Sequence, residues 1–143
     1  MSSIRGKNTK PELIIRKKLY ELGFRFRIHY PLVGRPDIVF PSRKVAIFVH
    51  GCFWHGHGCK NDHIPKINNK YWVSKIKKNK ARDAKVRNYL TKSGWKVLVI
   101  WECETTNKTI LGNIIRRWKF HLKINGNKFI KIWKQICFLS ILR

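Results

Sequence analysis

Hydrophobic and polar positions along this chain switch between a period of three to four residues and a period of two, and the switches mark out its elements. Thr9-Lys10-Pro11-Glu12 has the form of a capping box with proline in the first helical turn. The helix it opens runs to about Leu22, carries Ile14, Ile15, Leu19 and Leu22 on one face, and stops at Gly23. Phe24-Arg25-Phe26-Arg27-Ile28-His29 alternates residue by residue and predicts a half-exposed strand. Beyond the turn Gly34-Arg35-Pro36, Asp37-Ile38-Val39-Phe40 opens a second strand. Pro41-Ser42-Arg43 turns the chain into a third, Lys44-Val45-Ala46-Ile47-Phe48-Val49, an apolar run typical of a central strand.

A polar loop through Asn69 leads to a long helix over 71–93, ended by Gly94. Its inward stripe is Trp72, Ile76, Asn79, Asp83, Val86 and Leu90, at alternating steps of four and three. Asp83 therefore needs a partner, because an unpaired buried charge is strongly disfavoured; an ordinary ion pair with a neighbouring Lys or Arg would suffice. Residues 95–101 form a fourth apolar strand, with Cys103 close behind it. A last helix is expected over 109–122, carrying Arg116, Arg117 and Lys119, while 129–142, with Trp133, Cys137 and Phe138, has no clear period. No repeat or flexible linker interrupts the 143 residues, which predicts one domain over 1–143. The order helix, three strands, helix, strand, helix suits an α/β fold, a mixed sheet flanked by helices.

Charge narrows the partner. The 32 Lys and Arg outnumber the 7 Asp and Glu, leaving +25, and from Asn107 onward nine basic residues face no acidic one. With 43% hydrophobic residues this is a globular chain, so the balance points to nucleic acid rather than to a membrane surface. No apolar run approaches the ~20 residues of a spanning helix, and no signal peptide is visible. The cysteines gather with histidines instead of forming a spaced disulfide framework, so a cytoplasmic protein facing nucleic acid is expected. Any Mg²⁺ site must draw on Glu12, Glu21, Asp37, Asp62, Asp83, Glu102 and Glu104, with carbonyls and water completing it.

Chemistry is densest over 49–59. That stretch holds His50, His55 and His57, Cys52 and Cys59, and the adjacent pair Phe53-Trp54. Cys52, His57 and Cys59, joined by Cys103 from a strand end, would make a tetrahedral Cys₃His zinc site. Spacing leaves His55 and His57 interchangeable as the fourth ligand, and four unrelated cysteines beside a solvated histidine loop is the plainer alternative. Four protein ligands close a zinc site, so such a metal is structural and a catalytic ion must lie elsewhere. Asp37 is the candidate for it: its strand neighbours the one ending at Val49-His50, although an Asp after Gly-Arg-Pro is by default a turn residue. Two consecutive aromatics in a glycine-rich polar loop cannot both face inward easily, which favours their exposure.

The ordered set Arg5-Gly6-Lys7-Asn8-Thr9-Lys10-Pro11-Glu12, Gly34-Arg35-Pro36-Asp37 and Ile47-Phe48-Val49-His50-Gly51-Cys52-Phe53-Trp54-His55-Gly56-His57-Gly58-Cys59 resembles the very short patch repair mismatch endonucleases. Trp72, Lys75-Ile76, Asn79, Arg82-Asp83 and the run from Gly94 through Trp101-Glu102-Cys103 extend the likeness over about 5–104. It implies a restriction-endonuclease-like fold with a structural zinc site. It also implies an enzyme that nicks one strand 5′ to the thymine of a T·G mismatch, the product of 5-methylcytosine deamination, to start repair. Asp37 then matches the Mg²⁺-binding aspartate, sharing the ion with the backbone carbonyl of Val49. His55 matches the general base, and Glu12, His50 and Asp83 match supporting positions. Cys52, His57, Cys59 and Cys103 match the zinc ligands, and Phe53, Trp54 and Trp72 the aromatics that wedge into the duplex. An imidazole ordinarily titrates near ~6.5, so a neutral histidine can accept a water proton at physiological pH.

The same likeness implies double-stranded DNA with a T·G mismatch as partner, other mismatch-repair proteins beside it, a monomer, and a place at the nucleoid. Three departures stand out: few residues before Ile4, where the family has a basic stretch that grips DNA; Val49 in place of a frequent threonine; and a basic segment over 107–143 that the family pattern does not cover. The short start predicts weakened DNA affinity or activity. From another class, a zinc-stabilised basic DNA-binding module without catalysis fits the charge pattern equally, and an RNA-binding accessory protein fits it less well.

Overall fold

β-Branched and aromatic residues at 38–40, 45–50 and 96–101 build the sheet around which the other elements are placed. The computed structural model describes residues 6–107 and 112–114, together with Arg116 and Trp118. Its elements are helix α1 (Lys10–Glu21), strand β1 (Ile38–Phe40), strand β2 (Val45–His50), the four-residue helix α2 (Cys52–His55), the long helix α3 (Asn69–Lys92), strand β3 (Lys96–Trp101) and the short helix α4 (Glu102–Thr105). A 3₁₀ turn, Pro41–Arg43, joins β1 to β2, with Lys44 in the left-handed region at φ 50°.

Among the described residues the strand order is β1-β2-β3. β1 pairs antiparallel to β2, with Ile38 opposite Ile47 and Phe40 opposite Val45. β2 pairs parallel to β3 from Val45↔Lys96 to His50↔Trp101. Parallel neighbours need a crossover connection, and α3 supplies it. In this register both parallel strands end together, so α2 and α4 start from the same sheet edge. Crevices at the carboxyl ends of parallel strands are where α/β sheets bind ligands.

The core joins Ile15, Leu19 and Leu22 of the first helical segment to Ile38, Phe40, Val45, Ile47 and Ile100 of the sheet, and takes in Ile114 and Trp118. The α1 face read from the sequence is therefore the buried one. α3 shows its expected stripe as well: Ile76 and Leu90 are buried, and Trp72, Asn79, Asp83 and Val86 are half-buried among exposed positions. α3 packs against α2 and β3.

Four expectations need correction. Residues 24–29 are not a strand; Arg27 makes a single antiparallel bridge to Val39. The alternation there has another cause, since Phe24 and Phe26 both set their edges against Phe40, at 6.0 and 6.2 Å between ring centroids, and the positive φ of His29, 53°, turns the backbone out of extended geometry. The histidine-cysteine segment is no simple loop, because Cys52–His55 is helical. The capping box at Thr9 is not formed: the Thr9 hydroxyl donates to Glu12 Oε1 at 2.8 Å, and Glu12 Oε2 accepts from the Asn8 N–H at 3.0 Å. Asp37 lies just ahead of β1 rather than inside it. Of the helix expected over 109–122, the described positions are helical, while 129–142 and Cys137 lie outside the described residues. No described helix is long and apolar enough to cross a membrane.

Candidate active site and metal centre

A cleft of about 750 Å³ opens at the shared end of β2 and β3, and Glu12, Asp37, Val49, His50, His55 and Asp83 all line it. Residues separated by seventy positions thus converge as the sequence suggested. Asp37 is tied to the neighbouring strand: its Oδ2 accepts the Val49 N–H at 2.7 Å, and its own N–H donates to the Ile47 carbonyl at 3.0 Å. Burial, reinforced by the negative Glu12, pushes the Asp37 carboxyl up to about 6 from 3.8, against the opposing pull of the Val49 N–H and Arg16. A desolvated carboxylate with so little compensation is suited to a cation. Mg²⁺ usually takes only one or two carboxylates and keeps several waters, so Asp37 beside the Val49 backbone fits that donor requirement.

Glu12 is buried, and its oxygens are taken up by Asn8, Thr9 and the Arg16 guanidinium, the last at 3.0 Å. Arg16 also reaches Asn8 Oδ1 at 2.7 Å and the Asp37 carbonyl at 3.4 Å, so it fastens α1 to the strand that positions Asp37.

His55 closes α2, and its Nδ1 lies 2.5 Å from Asp83 Oδ2. That contact answers the question posed by a carboxylate on the inward face of α3; Arg82, at 3.9 Å and largely exposed, is a weak second partner. His50 stacks on His55, with ring centroids 3.9 Å apart and planes 9° from parallel. Burial, then the neighbouring His55, lowers His50 to about 4 from 6.5, so its ring is neutral at physiological pH. Nitrogen lone pairs lie in the ring planes, so stacked imidazoles do not aim at one ion. The His50, His55 and Asp83 group is therefore arranged for proton handling rather than metal binding, although its donor atoms lie within 4.8 Å.

The second cluster is of the opposite kind. The donor atoms of Cys52, His57, Cys59 and Cys103 lie within 4.8 Å of one another. His57 Nε2 is 3.4 Å from Cys52 Sγ and 3.5 Å from Cys103 Sγ, against about 3.6 Å for sulfur and nitrogen on one tetrahedral zinc ion. Burial pushes the Cys52 thiol up to about 12, so thiolates there require a cation. The group can hold a metal ion, and the geometry separates the two histidines that spacing left open: His57 faces the thiols and His55 faces Asp83.

Phe53, Trp54 and Trp72 meet edge to face, with centroids 5.1 to 5.8 Å apart. They are half-buried against one another instead of standing free, and the Lys75 ammonium lies 5.5 Å from the Trp54 ring. Sequence reasoning gave no role to Asn79, whose amide donates to the Trp54 carbonyl at 2.9 Å, nor to Arg35, Arg82 and Arg87 on the cleft wall. A polar Asn within an apolar stripe was the available signal. Arg35 is carried by a turn that requires glycine: Gly34 has φ +79°, and a Cβ there would overlap Val86 of α3.

Residues 1–61 match the family model described as DNA mismatch endonuclease Vsr. The chain is 50% identical over 108 residues to the type II nicking enzyme V.XorIIP of Xanthomonas oryzae pv. oryzae, covering 75% of this chain and 79% of that protein. It is 48% identical over 118 residues to the type II nicking enzyme V.NmeAIP of Neisseria meningitidis, covering 82% and 84%. To the DNA mismatch endonuclease Vsr of Escherichia coli it is 38% identical over 104 residues, covering 72% and 67%. On this similarity, the chain belongs to the Vsr family of DNA mismatch endonucleases.

Proposed function

We propose that this protein hydrolyses one strand of duplex DNA 5′ to the thymine of a T·G mismatch, in a Mg²⁺-dependent reaction that initiates very short patch repair. One observation carries the reading: a histidine–aspartate pair at 2.5 Å lies in the same cleft as the buried Asp37. A non-catalytic DNA-binding module has no need of that arrangement. The surrounding fold is taken to be of the restriction-endonuclease type, spanning the chain as one domain.

Asp37 and the Val49 carbonyl would hold Mg²⁺, which supplies charge stabilisation to the phosphate and its leaving oxygen. With Nδ1 engaged by Asp83, His55 keeps Nε2 to take the proton of the attacking water. Asp83 fixes the tautomer and offsets the imidazolium as it forms. His50, neutral and stacked on the ring, restricts its rotation without adding a second positive charge. Cys52, His57, Cys59 and Cys103 would hold Zn²⁺, a structural cross-link between the segment after α2 and the start of α4. Phe53, Trp54 and Trp72 supply the wedge, whose unstacking cost of a few kcal/mol is lowest where pairing is already poor. The +25 charge supplies sequence-independent attraction to phosphates. The enzyme acts as a monomer at the nucleoid, beside other mismatch-repair proteins.

The test is strand nicking of a T·G duplex with Mg²⁺, comparing the unmodified chain with His55→Ala. Loss of the base should slow single-turnover cleavage by roughly 10²- to 10⁴-fold. Tight duplex binding by the unmodified chain with no Mg²⁺-dependent nick would overturn the enzymatic reading.

A further inference from the structure

Helix α2 is four residues long, far below the length at which a helix is stable by itself. Its position has to be imposed from outside, and it carries two working side chains in succession, Trp54 and His55. Two residues of α3, one turn apart, do the imposing. Asp83 holds the His55 ring at 2.5 Å, and the Asn79 amide donates to the Trp54 backbone carbonyl at 2.9 Å. At the other end, Cys52 is buried in the thiol cluster and accepts the Cys103 N–H at 3.4 Å. The peptide between the aromatic and the imidazole is thus held on both sides: its N–H donates to the Gly51 carbonyl at 3.2 Å within α2, and its carbonyl accepts from Asn79, the bond that ties it to α3.

We infer that Asn79 is a positioning residue that couples the aromatic wedge to the general base, so that docking of Trp54 at a mismatch and correct placement of His55 become one event. This rests on the proposed roles of Trp54 and His55. The physical case is that Trp54 and His55 share a peptide unit, so a rigid tether on that carbonyl transmits displacement of one to the other. A loosened peptide would let the ring of Trp54 and the ring of His55 relax independently. A misplacement of about 1 Å costs on the order of 10²-fold in rate when reacting groups must align. In an uncoupled enzyme that loss falls on the mismatched duplex, where the wedge docks. The paired duplex, where it does not dock, has little to lose.

The experiment measures single-turnover nicking of T·G and T·A duplexes by the Mg²⁺-loaded protein and by Asn79→Ala, Asn79→Asp and Asn79→Gln, with thermal stability and bound zinc as folding controls. Asn79→Asp keeps the shape but removes the donor; Asn79→Gln keeps the donor. The proposal predicts that Ala and Asp lower the ratio of T·G to T·A rates by at least tenfold at nearly unchanged duplex affinity, and that Gln recovers part of it. A uniform fall in both rates would make Asn79 a scaffold residue and overturn the coupling, as would an unchanged ratio. If the unmodified chain itself neither nicks nor discriminates, the functional reading fails first, a result distinct from a discriminating enzyme indifferent to Asn79.

Discussion

Asp37→Ala is expected to lower Mg²⁺-dependent nicking by roughly 10³-fold or more while duplex affinity changes little, since a bound metal supplies several kcal/mol of charge stabilisation. The reason lies in how the site is built. Asp37 is the one carboxylate held against the Val49 backbone, and Glu12 cannot replace it because its oxygens are already bonded to Asn8, Thr9 and Arg16. Duplex affinity, by contrast, would come from the net charge of +25.

The same residue carries a stability signature. The fold raises the Asp37 carboxyl from 3.8 to about 6, so the folded state binds its proton more tightly than the unfolded chain does. Metal-free stability contributed by this group is present below about pH 4, falls as pH rises between about 4 and 6, and stays lost above that window. Asp37→Asn should therefore be inactive yet more stable than the unmodified protein at pH 7, by on the order of 2 kcal/mol. The advantage should vanish near pH 4. His50 works in the opposite direction: with its pKa lowered from 6.5 to about 4, it costs stability as pH falls through that range. The two slopes partly offset, so the Asp37→Asn protein should show a steeper acid loss than the parent in a thermal-melt series.

Cys103→Ser should lower bound zinc and thermal stability together, by several kcal/mol and roughly 10 °C or more. Cys103 is the second residue of α4, just past the end of β3, whereas Cys52, His57 and Cys59 belong to α2 and the segment after it. The metal would join two chain regions about fifty residues apart, and α2 is too short to persist without such an anchor. A chelator should reproduce the effect in the unmodified protein. A Cys103→Ser variant that keeps a full zinc content and an unchanged melting point would contradict the assignment.

Much of this site was legible in the sequence, for identifiable reasons. Asp83 sat on an apolar stripe at helical spacing, so it had to face inward and find a partner, and the partner is His55. The apolar runs at 45–50 and 96–101 are the central strand and its parallel neighbour; near-continuous hydrophobicity goes with burial of Val45, Ala46 and Ile47 in the first, whereas in the second only Ile100 is buried and 97–99 and Trp101 are half-buried. What local pattern could not settle was tertiary. His55 and His57 are two residues apart and chemically identical; only the turn of α2 and the stacking of His57 on Trp101, at 4.0 Å, send them to different clusters. The alternating 24–29 segment misled because its phenylalanines pack on Phe40 without a strand ladder. Asn79 was legible as an inward-facing position but not in its role, because its partner is a backbone carbonyl, which no side-chain pattern encodes.

The proposed enzyme converts recognition of a T·G mismatch into a single-strand cut in this cleft. The most direct measurement is the single-turnover nicking rate on one duplex sequence carrying either T·G or T·A, with Mg²⁺ present. A Mg²⁺-dependent nick 5′ to the mismatched thymine, at least 10²-fold faster on T·G than on T·A, is the predicted result. Equal cutting of both duplexes, or no cut of either despite tight binding, would contradict it.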